Sequence, residues 1–192
     1  MSFSNLKLIK PLLVALDKMG YAEPTPIQLQ AIPPILEKRD VFGCAQTGTG
    51  KTAAFALPIL QLLDSKKNHN VSRVIKALIL APTRELALQI SDNFNSYSKN
   101  LELSHTTIFG GVSQNLQVKD LRKGVDTLIA TPGRLLDLMQ QGFVKLNHVE
   151  FFVLDEADRM LDMGFINDIK KVIAKLPAKK QTMFFSATVA PD

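Results

Sequence analysis

Apolar residues recur along this chain in two alternating rhythms. Short, nearly unbroken runs at Val41 to Cys44, Ala77 to Leu80, Thr106 to Phe109, Val125 to Ala130, Val149 to Leu154 and Thr182 to Phe185 have the length and bulk of buried strands. Between them the spacing is helical. Leu6, Ile9, Leu12, Leu13 and Leu16 repeat on one face up to Gly20, and a second helix is predicted from Pro26 through Ile35 or Leu36, proline suiting a first helical position. Further helices are predicted from about Gly50 to Leu63 and from Thr83, Ser113 and Pro132, whereas the polar SKKNHNVS stretch reads as a loop. A rhythm of βα units predicts an α/β domain with a mostly parallel sheet covered by helices on both faces. No internal repeat, low-complexity tract or linker interrupts it, and 192 residues with 46% hydrophobic content suit a single domain with one core.

Charge and composition narrow the partners. The formal charge of +5 favours an anionic partner, nucleic acid first among them, although the basic residues form only short clusters. The pairs Lys66-Lys67, Lys170-Lys171 and Lys179-Lys180 are expected to solvate surfaces. The N-terminus lacks an apolar leader, a cleavage pattern and a membrane-spanning run, so a soluble, cytoplasmic protein is expected. The lone cysteine, Cys44, excludes an internal disulfide, fits a reducing compartment and is expected to be a small buried packing group. His69, His105 and His148 are too dispersed for a metal site or a catalytic dyad.

Chemistry concentrates in two segments. Ala45, Gln46, Thr47, Gly48, Thr49, Gly50, Lys51 and Thr52 spell a glycine-rich phosphate loop between a strand and a helix, with alanine in the first glycine position of the general pattern. Its backbone N–H groups can wrap phosphates, Lys51 can reach the outer phosphates, and Thr52 can ligate Mg²⁺. About a hundred residues on, the run Phe151 to Leu154 leads into Asp155, Glu156, Ala157 and Asp158. A carboxylate at the C-terminal end of a buried parallel strand sits where open α/β sheets bind ligands, so Asp155 can hold Mg²⁺ and Glu156 can face an attacking water. Taken singly, these acids would serve only the positive end of a helix. Paired with Lys51 and Thr52, they predict a nucleoside triphosphate site.

AQTGTGKT, PTRELA from Pro82, TPGR from Thr131, DEAD from Asp155 and SAT from Ser186, in that order, resemble the first half of a DEAD-box RNA helicase. GYAEPTPIQ, from Gly20 to Gln28, is similar to that family's adenine-reading motif, and the resemblance covers nearly the whole chain. VLDEADRMLDMGF, FGGVSQ and the MSF start look closest to the bacterial RhlE-like subgroup. The resemblance implies a RecA-like fold, ATP with Mg²⁺, and Lys51, Asp155 and Glu156 as the catalytic set. It places Gln28 on the adenine edge, where one amide offers both donor and acceptor to N6 and N7, and Tyr21 on the base face. Phe3 matches the family's upstream aromatic, although an aromatic near a terminus is ordinarily a packing group.

By the same resemblance, Pro82, Thr83, Arg84, Gly110, Gly111, Thr131, Pro132, Gly133 and Arg134 hold the sugar-phosphate backbone of one RNA strand without reading bases. Turns and helix caps would call for the same residue types. Asp158, Ser186 and Thr188 are expected to couple the nucleotide site to strand separation, the two hydroxyls bonding Asp158; a capping role is the alternative. The family pairs two such domains, and no counterpart of the second is present, so residues 1–192 are expected to be the N-terminal, ATP-binding part of a longer helicase. Two other readings stay open: an ATP-binding switch that unwinds nothing, and a P-loop ATPase acting on DNA.

Overall fold

The computed structural model describes residues 2–46, 48–66 and 72–188. Its chain order is β1 (Val41–Cys44), β2 (Ala77–Leu80), β3 (His105–Ile108), β4 (Thr127–Ala130), β5 (Phe151–Leu154) and β6 (Gln181–Ser186), interleaved with α1 (Lys10–Lys18), α2 (Pro26–Leu36), α3 (Lys51–Asp64), α4 (Arg84–Tyr97), α5 (Asn115–Lys123), α6 (Pro132–Gln140), α7 (Ala157–Asp162) and α8 (Ile166–Ile173). The strands form one sheet in the order β1-β6-β5-β2-β4-β3, and every neighbouring pair is parallel. The α/β expectation holds, with both faces covered.

Two cores account for the unbroken apolar strands. Successive strand residues point to opposite faces. Phe151 and Val153 therefore join Leu12, Ile32, Phe55 and Phe94 on one face, while Phe152 and Leu154 join Val118, Leu135, Ile169 and Val172 on the other. A strand flanked by helices on both sides favours apolar residues at each position, which is the pattern of β2, β5 and, beyond the buried Thr127, β4.

Several local expectations change. The predicted N-terminal helix is split into a 3-10 turn, Phe3–Leu6, and α1, because Lys7 adopts a left-handed conformation at φ 57° and Pro11 occupies the first turn of α1. β4 begins at Thr127, beyond the predicted Val125, and the Asp126 carboxylate before it accepts the Ser104 N–H at 2.8 Å. β3 starts and ends one residue early, and α5 opens at Asn115 beyond the predicted Ser113. Cys44 is exposed, contrary to the packing role expected of it. β1 is an edge strand whose Gly43 faces inward against Phe185, so its neighbours Phe42 and Cys44 face out. Phe3 is buried, its ring centroid 6.2 Å from that of Tyr21, in keeping with packing. Lys66 and the Lys179-Lys180 pair lie at the surface as expected, around a groove with Glu150, where Lys66 forms an ion pair, and Lys67 lies outside the described residues. No helix among the described residues is long and apolar enough to cross a membrane.

Parallel strands put all their C-terminal ends on one edge. The loops after β1, β2, β3, β4, β5 and β6 all open there, and they carry the phosphate loop, PTRELA, FGGVSQ, TPGR, DEAD and SAT, while GYAEPTPIQ precedes β1 at the start of α2. The ladder continues into those loops: Ala45 N–H donates to Ser186 at 2.9 Å, Asp155 N–H to Leu80 at 3.0 Å, and Thr131 N–H to Ile108 at 3.0 Å.

Candidate functional site

The phosphate loop turns on two glycines in the left-handed region, Gly48 at φ 84° and Gly50 at φ 86°. Gly50 is doubly constrained, because a Cβ there would lie 2.3 Å from Gln28 Nε2. Thr49 closes the turn through its hydroxyl, which donates to the Gln46 carbonyl at 2.6 Å. Thr47 lies outside the described residues. Lys51 and Thr52 open α3, beneath the loop. The Lys51 side chain is only 6% exposed, yet its ammonium has no hydrogen-bond partner among the described residues. A buried, unpartnered cation is costly, and it marks a place built to receive an anion.

Gln28 lies 1% exposed under this loop. Its Oε1 accepts from the Thr25 N–H at 3.0 Å and its Nε2 donates to the Gly50 carbonyl at 3.1 Å. The amide is thus no solvated surface group: it ties the start of α2 to the phosphate loop, and both of its functions are occupied. Tyr21 is half-buried between aromatic rings, with Tyr97 edge-on at 6.2 Å and the two hydroxyls 3.1 Å apart.

Opposite Lys51, Asp155 directly follows β5 and is 2% exposed. Burial pushes its carboxyl up to about 6 against the pull of Lys51, and the adjacent Glu156 adds to the rise. Asp155 Oδ1 accepts the Glu156 N–H at 3.0 Å. Glu156 itself adopts φ 51°, ψ 51°, a left-handed conformation unfavourable for a residue with a Cβ, and Arg159 donates to its Oε2 at 3.1 Å. Asp158 binds the segment after β6. Its Oδ2 accepts from Ala187 N–H at 3.1 Å, Thr188 N–H at 3.0 Å and the Thr188 hydroxyl at 2.9 Å. Partial burial opposes ionisation of Asp158, but hydrogen bonds led by the Thr188 hydroxyl hold its carboxyl below the usual range. Of the two hydroxyls expected on Asp158, that of Thr188 makes the short bond; Ser186 donates to the Thr188 carbonyl at 2.6 Å and also helps to hold the Asp158 carboxyl ionised.

Along the same edge, a cavity of about 420 Å³ is lined by Pro82, Arg84, Gly110, Thr131, Gly133 and Arg134. Thr83 caps α4, its hydroxyl oxygen accepting the Leu86 N–H at 3.2 Å, while Gly111 turns the neighbouring loop at φ 77° and Pro132 starts α6. Sequence reasoning brought these residues to one edge but missed their companions. Phe109, Asp137 and Phe165 also line the cavity, and the Arg84 guanidinium sits 4.8 Å over the Phe109 ring. Gln117, buried behind the wall, was missed as well. Its signal was a glutamine beside Val118 on the apolar face of α5, where only a satisfied amide can be buried.

The family model of the DEAD/DEAH box helicases matches residues 25–192. This chain belongs to that family. Relatives include the ATP-dependent RNA helicase CshA of Limosilactobacillus reuteri, 46% identical over 192 residues that make up 100% of this chain and 38% of the relative. The ATP-dependent RNA helicase DeaD of Escherichia coli K12 is 44% identical over 98% of this chain and 29% of its own length. A crystal structure of a DEAD box protein from the hyperthermophile Methanococcus jannaschii superposes with a TM-score of 0.91 at 39% identity, over 99% of this chain and 51% of the other. The DEAD/DEAH box chain described here therefore spans about a third of the curated relatives it matches.

Proposed function

We propose that this RecA-like domain, residues 1–192, is the ATP-binding part of an ATP-dependent RNA helicase that unwinds or remodels RNA duplexes, working in the cytoplasm with a second RecA-like domain of the same protein. The observation that carries this reading is the buried, unpartnered Lys51 ammonium facing a buried acid, Asp155, across a glycine loop at the C-terminal edge of the sheet. Such a pair suits a ligand that is itself a polyanion with a divalent cation. Among the described residues no group of three or more metal-ligating side chains converges, and Thr52 with Asp155 fits Mg²⁺, which is ordinarily held by one or two protein oxygens and the nucleotide's phosphates. When bound, the ion would supply charge neutralisation on the phosphates.

In this reading the loop N–H groups, Gln46 to Gly50, cradle phosphates and Lys51 neutralises the outer ones. Glu156 orients and deprotonates the attacking water, while Arg159 donates to its Oε2. Gln28 reads adenine by exchanging the Thr25 and Gly50 contacts for the base edge, and Tyr21 flanks the base. Pro82, Thr83, Arg84, Gly110, Gly111, Thr131, Pro132, Gly133 and Arg134 form the RNA side, touching backbone rather than bases. Asp158, with Thr188 and Ser186, relays nucleotide state to the segment beyond β6. VLDEADRMLDMGF, FGGVSQ and the MSF start support a finer placement near the RhlE-like subgroup.

The test is ATP turnover by the full-length protein with single-stranded RNA, with DNA of the same sequence, and with neither. Stimulation by RNA alone is expected. Glu156→Gln should keep ATP affinity and lose turnover, while Lys51→Ala should lose affinity first. Turnover indifferent to RNA would favour a nucleotide switch, and equal stimulation by DNA would remove the RNA assignment.

A further inference from the structure

β3 is an edge strand, and Phe109, the residue after it, has no neighbouring strand to complete its peptide hydrogen bonds on the outer side. The side chain of Gln117 takes that place. Its Oε1 accepts the Phe109 N–H at 3.2 Å and its Nε2 donates to the Phe109 carbonyl at 3.1 Å, so one amide imitates a strand for a single residue. The same Oε1 accepts from Arg134 Nη1 at 3.3 Å, and Arg134 Nη2 donates to the Val112 carbonyl at 3.0 Å. Arg134 Nε lies 3.6 Å from the Asp137 carboxylate, and the guanidinium of Arg84 rests on the Phe109 ring. One buried amide therefore braces the peptide from which Gly110 and Gly111 project, the ring beneath Arg84, and the arginine that closes the loop.

We propose that Gln117 is a positioning residue for RNA, resting on the RNA reading of the cavity above. At 7% exposure it cannot offer its amide to a strand lying in the groove. It acts by fixing the Gly110-Gly111 backbone and the Arg84 and Arg134 side chains before RNA arrives, which spares the ordering cost on binding. Arg134, on this view, works as a brace at least as much as a phosphate contact, since two of its nitrogens already serve Val112 and Gln117.

The test uses the 192-residue chain at low ionic strength with a fluorescein-labelled single-stranded oligouridylate, read by anisotropy. Gln117→Met keeps volume and removes the amide. It should weaken RNA binding by about five- to tenfold, the loss of roughly one net hydrogen bond's worth of preorganisation, and leave ATP affinity unchanged. Hydrogen exchange in the 105–114 segment should accelerate, while that in α3 should not. Arg134→Lys keeps the charge but not the two-pronged reach. It should weaken RNA binding in the same way, and it provides the readout if Gln117→Met does not fold. Failure of both the unmodified chain and the full-length protein to bind RNA refutes the RNA reading, with hydrogen exchange still judging the brace. RNA affinity equal to the parent's in a variant whose loop has loosened overturns the positioning role, and unaltered exchange overturns the brace.

Discussion

Replacing Asp155 with asparagine separates two demands placed on one carboxyl. Burial raises its pKa to about 6 from an ordinary 3.8, despite the attraction of Lys51. Between those values the folded chain holds a proton that the unfolded chain has released. Unfolding then releases a proton, so stability falls as pH rises through the window, and the full loss is present above about 6. At 1.36 kcal/mol per pH unit, the ionised carboxylate costs the unliganded fold about 3 kcal/mol. Asparagine keeps an oxygen able to accept the Glu156 N–H, a bond of 3.0 Å in the parent, and removes the charge. It also leaves the Lys51 ammonium without an opposing charge, which offsets part of the gain. Asp155→Asn is therefore expected to stabilise the nucleotide-free chain by about 1–3 kcal/mol near pH 8, with about half that gain near pH 5. Urea unfolding of both proteins at the two pH values measures it, and isothermal titration should show that Mg²⁺-dependent nucleotide affinity is lost. A variant no more stable than the parent near pH 8, or a gain that does not shrink near pH 5, would refute the argument that this acid is held ionised at the fold's expense.

Gln28→Ala should weaken ATP and ADP binding by about 1–3 kcal/mol and, because its amide also ties Thr25 to Gly50, lower the melting temperature; unchanged ADP affinity, or equal affinity for GDP, removes the adenine assignment. Gly50→Ala should destabilise the chain by more than about 1 kcal/mol, since φ 86° is unfavourable for alanine and its Cβ would meet Gln28 Nε2; denaturant midpoints decide it. The 192-residue chain alone should bind ATP yet hydrolyse it about 10³–10⁵-fold more slowly than a full-length protein whose second domain supplies an arginine to the phosphates, and single-turnover assays of the two side by side would expose comparable rates.

The layout of the sheet and the convergence of the motifs were legible because the central parallel strands are apolar at nearly every position and their C-terminal ends share an edge. β1 and β2 were read to the residue, and the phosphate loop and DEAD segment fell where the strand ends demanded. What escaped was whatever depended on neighbours distant in sequence. The exposure of Cys44 follows from β1 lying at the sheet's edge, a fact of strand order that no local pattern carries. The double engagement of the Gln28 amide needs Gly50 to fold back over α2. α8 carries Ile169 and Val172 inward but is short, and its helical spacing offered too few repeats to be recognised. Gln117 was hidden for a similar reason, since its value comes from Phe109 and Arg134 on other elements.

The order of strands also bears on when this domain can become whole during synthesis. β1 has a single neighbour, β6, and Gly43 lies so close to Phe185 that a Cβ there would sit 2.7 Å from its ring. A ribosome delivers β1 early and β6 near the end of these 192 residues, at about 5–20 residues per second. Throughout that interval the strand leading into the phosphate loop has no ladder to join, while β2, β4 and β5 can already pair with one another. The strand that leads into the proposed nucleotide loop is thus the last to be seated. A nascent chain stalled before Gln181 would present an unpaired edge carrying the exposed Phe42 to chaperones and proteases.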